Sequence, residues 1–128
     1  MLLKFTAGEK KALISLQKKI GDLRKKRGFT QDPERAMILL VEEVGEVAQQ
    51  MKRLWSPNYD IYTKDALAEE LADVQFVLLG LSELLGIKLA DALDKKTKQD
   101  AGRKWKSINN PIPLKGIETG NFNSGKED

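Results

Sequence analysis

The sequence predicts an all-α fold, an antiparallel four-helix bundle. Three observations carry that expectation. Apolar residues recur at helical spacing in four successive segments, capping and stop signals punctuate the boundaries, and no stretch alternates as a strand would. With 128 residues and a hydrophobic fraction of 41%, the chain is long enough to build one domain around its own core. That domain is expected over residues 1–108. Residues 109–128, NNPIPLKGIETGNFNSGKED, are rich in Gly, Asn and Pro and read as an irregular or disordered tail.

The first helix opens at Thr6-Ala7-Gly8-Glu9, a capping box in which side chain and backbone satisfy each other's free amides. Leu13, Leu16, Ile20 and Leu23 give it a core face, and Gly28 stops it after the basic run Arg24-Lys25-Lys26-Arg27. Asp32 and Pro33 start the second helix as N-cap and first helical residue. Its main apolar stripe is Met37, Leu40, Val41, Val44, Ala48 and Met51; Leu39, Glu43, Glu46 and Gln50 line a second face. It gives out near Arg53, before the turn Ser56-Pro57-Asn58. The connection holds Trp55, Tyr59 and Tyr62, which either stack on a base or sugar or fill the cavity at the helix ends. Thr63 caps the third helix, which runs to Gly86 on a stripe of Leu67, Val74, Val77, Leu78, Leu81, Leu84 and Leu85. The fourth spans about Leu89 to Trp105, with Leu89, Ala92, Leu93 and Lys96 on one face and many basic residues.

Composition excludes several chemistries. There is no Cys, hence no thiol nucleophile, disulfide or zinc–thiolate centre, and no His to act as general base or soft-metal ligand. A metal here must be held by oxygens, which selects Mg²⁺, Mn²⁺ or Ca²⁺. No apolar run approaches the ~18 residues of a membrane span, and the N-terminus lacks the apolar core of a signal peptide. A cytoplasmic protein with no membrane partner is the resulting expectation. Charge is partitioned along the chain: +7 over residues 1–28, −7 over 29–86 and +3 over 87–128.

The acidic middle contains one physical oddity. Glu70 falls inside the apolar stripe of the third helix, with Asp73 on its edge and no basic residue one turn away. A core-facing carboxylate needs a positive charge to neutralise it. Glu43 and Glu46 sit at i and i+3 on the second helix, about as far before the connecting loop as Glu70 and Asp73 lie after it. In an antiparallel hairpin the four carboxylates converge, and one or two divalent ions would turn their repulsion into a site.

Glu42-Glu43-x-x-Glu46 followed by Glu70-x-x-Asp73 resembles the signature of the MazG-type all-α nucleoside triphosphate pyrophosphohydrolases. That superfamily includes dimeric dUTPases, dCTP pyrophosphatases and phosphoribosyl-ATP pyrophosphatases. The resemblance covers about residues 10–105 and implies Mg²⁺, with Mn²⁺ as a substitute, bound by Glu43, Glu46, Glu70 and Asp73. It implies phosphate contacts from a K-x-x-x-N-x-x-R pattern, here Lys96, Asp100 and Arg103, with Asp in place of Asn. Val77 stands where the family often carries a Tyr. Glu42 is the candidate water-orienting base and Trp55 the candidate base-stacking residue. A homodimer or homotetramer completing the bundle is also implied, with a nucleoside triphosphate as substrate and a role in cleansing the nucleotide pool. Phosphoribosyl-ATP pyrophosphatase activity and a non-enzymatic helical module with an acidic groove stand as alternatives. The acidic centre counts against nucleic acid as a partner.

Overall fold

In the computed structural model, which describes residues 4–103, the chain forms four helices: α1 (Ala7–Lys26), α2 (Pro33–Lys52), α3 (Lys64–Leu84) and α4 (Leu89–Ala101). No strand occurs among the described residues, and none of their helices is long and apolar enough to cross a membrane. The expected tail, and the end of the fourth helix at Trp105, lie outside the described residues. Within them α4 already stops at Ala101, with Gly102 as its C-cap. The chain divides into two compact units, one running to Leu39 and resuming at Phe76, the other spanning Leu40–Gln75.

Helix boundaries follow the capping signals. Thr6 Oγ1 accepts from the Glu9 amide at 3.1 Å, and Glu9 Oε2 accepts from the Thr6 amide at 3.4 Å, completing the capping box. Asp32 Oδ1 accepts from the Glu34 amide at 3.0 Å, and Thr63 Oγ1 from the Ala66 amide at 3.2 Å. α1 and α3 end alike. Gly28 and Gly86 adopt φ of 74° and 65°, where only glycine is unstrained. The next amides, Phe29 and Ile87, bond back to the carbonyls of Arg24 and Ser82 at 2.9 Å, the Schellman pattern.

In the first unit α1 packs on α4, and its inward line is Gln17, Ile20 and Arg24. The expected face needs correction, because Leu16 is 45% exposed. The stripe rotates toward two polar residues that have partners remote in sequence. Gln17 Nε2 donates to Glu83 at 3.0 Å and to the Ile87 carbonyl at 2.6 Å, while its Oε1 accepts from the Leu89 amide at 3.2 Å. That last bond caps α4, whose own N-cap residue Lys88 supplies no side-chain cap. α4 also turns a different face inward, Ala90 and Asp94, and leaves Leu93 outside. Asp94 Oδ2 accepts from Lys98 at 2.9 Å and Lys10 at 3.4 Å. The Lys98 hydrogen bond, reinforced by Lys10, holds the Asp94 carboxyl below its ordinary pKa.

Arg24 is the most unusual residue of this unit. It is 2% exposed, and its Nε and Nη2 have no hydrogen-bond partner. Its guanidinium lies over the rings of Phe29 and Phe76, at 5.0 and 5.4 Å from their centroids. The two rings meet edge to face at 6.0 Å. A weakly hydrated, delocalised cation tolerates aromatic faces in place of a carboxylate, although burial pulls its pKa down. The stem crosses α3 at Gly80, where a Cβ would overlap Arg24 Cδ and Nε. Gly80→Ala should therefore destabilise the protein by about 1–3 kcal/mol through overpacking. In an Arg24→Ala background the same change should be neutral or stabilising, since Ala is the better helix former. Denaturant melts of the four proteins in this cycle test it; an equal loss in both backgrounds would show that Arg24 is not what Gly80 accommodates.

In the second unit, residues 53–63 join the C-terminal part of α2 to the N-terminal part of α3. α2 presents a different face from the one its apolar pattern predicts. Met37, Val41 and Val44 of the expected main stripe are 48%, 59% and 51% exposed, and Ile38 is 67% exposed. Leu40 and Met51 of that stripe do turn inward, joined by Ala36, Leu39, Glu43, Glu46, Val47 and Gln50, all buried or half-buried. The aromatic residues of the connection also separate. Tyr62 is buried, Trp55 is exposed, and Tyr59 stacks with and hydrogen-bonds to Lys52.

Candidate metal centre

Glu43 and Glu46 sit one turn apart on α2, and Glu70 faces them from α3. One carboxylate oxygen of each lies within 4.8 Å of the others, and all three residues are half-buried. The ion pairs of the described residues engage Asp32, Asp94 and Asp100, none of this trio. Asp73, one turn beyond Glu70, is exposed and outside the convergent group, but its charge acts on both Glu43 and Glu70. Glu42 is exposed; it adds its charge to Glu43 without joining the cluster.

The electrostatics follow from that crowding. Burial, then the charges of Asp73, Glu70 and Glu42, push the Glu43 pKa above its ordinary value, against a hydrogen bond from Glu46. Burial also raises Glu70, reinforced by Glu46 and Asp73, while the Gln50 side chain opposes the rise as a hydrogen-bond donor. Like charges at this spacing cannot all ionise freely without a compensating cation.

The donor set fits a hard divalent ion. It consists of oxygens alone, and oxygens bound to one ion at 2.0–2.6 Å lie roughly 3–5 Å apart, the separation found here. Glu43 Oε2 is buried and has no hydrogen-bond partner, the condition of a ligand atom waiting for its ion.

A family profile described as the MazG nucleotide pyrophosphohydrolase domain matches residues 31–104, more than half of the chain. The chain belongs to this family. The MazG match begins at Gln31 and so takes in α2, α3 and α4, with α1 ahead of it. Among curated proteins and solved structures, no match to the chain was found. Membership supports nucleotide pyrophosphohydrolase activity and a nucleotide substrate.

The other expected site residues are placed as follows. Lys96 Nζ and Arg103 Nη1 both pair with Asp100 Oδ1, at 3.3 and 3.6 Å, so the pattern forms one local network with its carboxylate between two cations. Trp55 is 74% exposed, its ring free to meet a ligand. Gln50 is the residue whose role sequence reasoning missed. Its spacing put it on the acidic face, but nothing in the sequence showed that an uncharged side chain there would be buried among the acids.

The raised pKa values give a pH signature. A carboxyl whose pKa is higher folded than unfolded makes the folded state bind more protons. Metal-free stability should thus fall as pH rises through the window above the ordinary value of 4.5. A divalent ion competes with those protons, so its stabilising effect should grow over the same window. Thermal melts between pH 4.5 and 7, with and without millimolar Mg²⁺, should diverge for the wild type. They should converge for Glu70→Gln.

Proposed function

We propose that this protein hydrolyses a nucleoside triphosphate between its α- and β-phosphates, releasing nucleoside monophosphate and pyrophosphate, as a guard on the nucleotide pool. The observation that carries the reading is the convergence of Glu43, Glu46 and Glu70, without a basic partner among the described residues, in a chain of the MazG family. Mg²⁺, with Mn²⁺ as substitute, is the proposed ion, and Asp73 is the proposed fourth acid that turns in when it binds. A divalent ion in this setting neutralises phosphate charge and makes water a better nucleophile at neutral pH.

The protein's own residues supply position and charge. Glu43, Glu46 and Glu70 converge from two helices, so their geometry is set before substrate arrives. Glu42, exposed and adjacent to Glu43 in the chain, is the proposed base that orients the attacking water. Lys96 and Arg103 are the proposed phosphate contacts. To engage a phosphate they exchange Asp100 for it, and Asp100 in turn keeps both cations in a fixed arrangement beforehand. Trp55 offers an exposed aromatic face to the base.

Product chromatography over a panel of ribo- and deoxynucleoside triphosphates and phosphoribosyl-ATP tests the reading and names the substrate. Monophosphate and pyrophosphate are expected; diphosphate and orthophosphate would overturn it. Glu70→Gln should lower kcat by at least ~100-fold, the scale of losing one transition-state electrostatic contact. Its metal-free melting temperature should be unchanged or higher, because a repelling half-buried charge is removed.

The reading includes a homodimer or homotetramer. Met37, Ile38, Val41 and Val44 expose one side of α2 to solvent, and a second copy of this chain is the proposed cover. Leu39 on the same helix is half-buried and Leu79 on α3 is fully buried, so neither belongs to this surface. Light scattering should give a mass of at least twice 14.4 kDa, and Val41→Glu with Val44→Lys should reduce it toward the monomer. A wild-type monomer at micromolar concentration would remove the proposed assembly.

A further inference from the structure

Gln50 is 9% exposed, and its Oε1 is buried with no hydrogen-bond partner. It occupies α2 seven residues after Glu43 and four after Glu46, so the three side chains share one face of the helix. Across from them is Glu70, whose pKa the Gln50 side chain lowers, as an amide N–H directed at the carboxylate would. Electrostatics selects the amide's orientation. Its NH₂ group is turned to the carboxylate, since the reverse would set a carbonyl dipole against a negative charge. The oxygen is left as a buried acceptor with nothing to accept from.

A buried, unsatisfied amide carbonyl carries a desolvation penalty that a protein retains only where something compensates it. The charged group beside this side chain is the Glu70 carboxylate, which offers no proton while ionised. A cation offers what is missing. Side-chain amide carbonyls are ordinary ligands of hard divalent ions, and they add an oxygen without adding charge. At this position the distinction matters: Glu43, Glu46 and Glu70 already repel one another, and a fourth inward carboxylate would increase that repulsion in the metal-free protein.

We infer that Gln50 is a neutral oxygen donor of the cation site, its NH₂ group holding Glu70 in place while its Oε1 faces the ion. The assignment rests on the divalent-ion reading of the acidic trio and adds to it a ligand that the acidic motif does not contain. The same side chain then couples two helices: it belongs to α2, and it orients the one convergent carboxylate of α3.

Two variants separate this role from simple packing. Gln50→Met keeps the length and volume but removes both donor and acceptor. Gln50→Glu keeps an oxygen and adds charge. Calorimetric titration with Mg²⁺ and with Mn²⁺, together with metal-free melts, reads both. Gln50→Met should fold with a metal-free melting temperature equal to or above that of the wild type. Its affinity for each ion should fall by about 10–100-fold, the scale at which ligand-supporting partners act. Gln50→Glu should recover the affinity, while its metal-free melting temperature drops. A wild type that binds neither ion would overturn the divalent-ion reading and this inference together. A wild type that binds, beside a Gln50→Met variant of unchanged affinity, would overturn the inference alone. If Gln50→Met fails to fold, Gln50→Glu decides: affinity below that of the wild type would overturn the role of the oxygen.

Discussion

Mutual repulsion among three half-buried carboxylates is the constraint on which the rest of the second unit depends. Glu43, Glu46 and Glu70 bring oxygens within 4.8 Å of one another, and no Lys or Arg among the described residues is paired to them. Such an arrangement lowers metal-free stability unless a proton or a cation intervenes. The raised pKa values of Glu43 and Glu70 are its direct expression. A chain without His or Cys has few other ways to assemble a reactive centre. Phosphoryl chemistry suits that limitation, because it asks chiefly for charge neutralisation and positioning. In the proposed function, instability and activity are the same interaction, seen without and with a divalent ion.

The first unit treats its buried polar groups in the opposite way. Gln17 uses both ends of its amide, joining α1 to Glu83, to the Ile87 carbonyl and to the first amide of α4. Asp94 is held between Lys10 and Lys98. Even Arg24, with two nitrogens lacking hydrogen bonds, is wrapped by two aromatic faces and given room by Gly80. Buried polarity there serves packing and register. Among the described residues of the second unit the buried unsatisfied side-chain atoms are Glu43 Oε2 and Gln50 Oε1, both acceptors in a setting rich in negative charge. Two like-natured orphans on one helix face have a common physical remedy, and it is positive.

The proposed oxygen-only coordination would also explain the economy of the motif. An i, i+3 pair on one helix gives two ligands without distorting the backbone. Adding Gln50 one further turn along extends the same face without further charge. The helix carrying these residues leaves Met37, Ile38, Val41 and Val44 outside, so its acidic side is inward and its most apolar side outward. An apolar outer side of this kind is stabilised by a cover, which is the physical basis for a second copy in the proposed function.

Local physics made much of this legible in the sequence. The capping box at Thr6, Asp32 with Pro33, Thr63, and the glycines at 28 and 86 act within one turn of the chain, so each helix end they mark could be placed from neighbouring residues alone. The pairing of Glu43 and Glu46 with Glu70 was legible too, because acids at i and i+3 and matched distances from one loop leave few arrangements. Tertiary structure alone decided which faces turn inward. Periodicity shows that Met37, Val41 and Val44 form a stripe, but it does not say whether that stripe meets its own chain or something outside it. It was equally silent on Leu16, displaced by Gln17, and on Gln50, buried beside Glu70. The partners of those glutamines lie 20 to 72 residues away, and an amide becomes a good core residue or a good ligand only once the fold brings them to it.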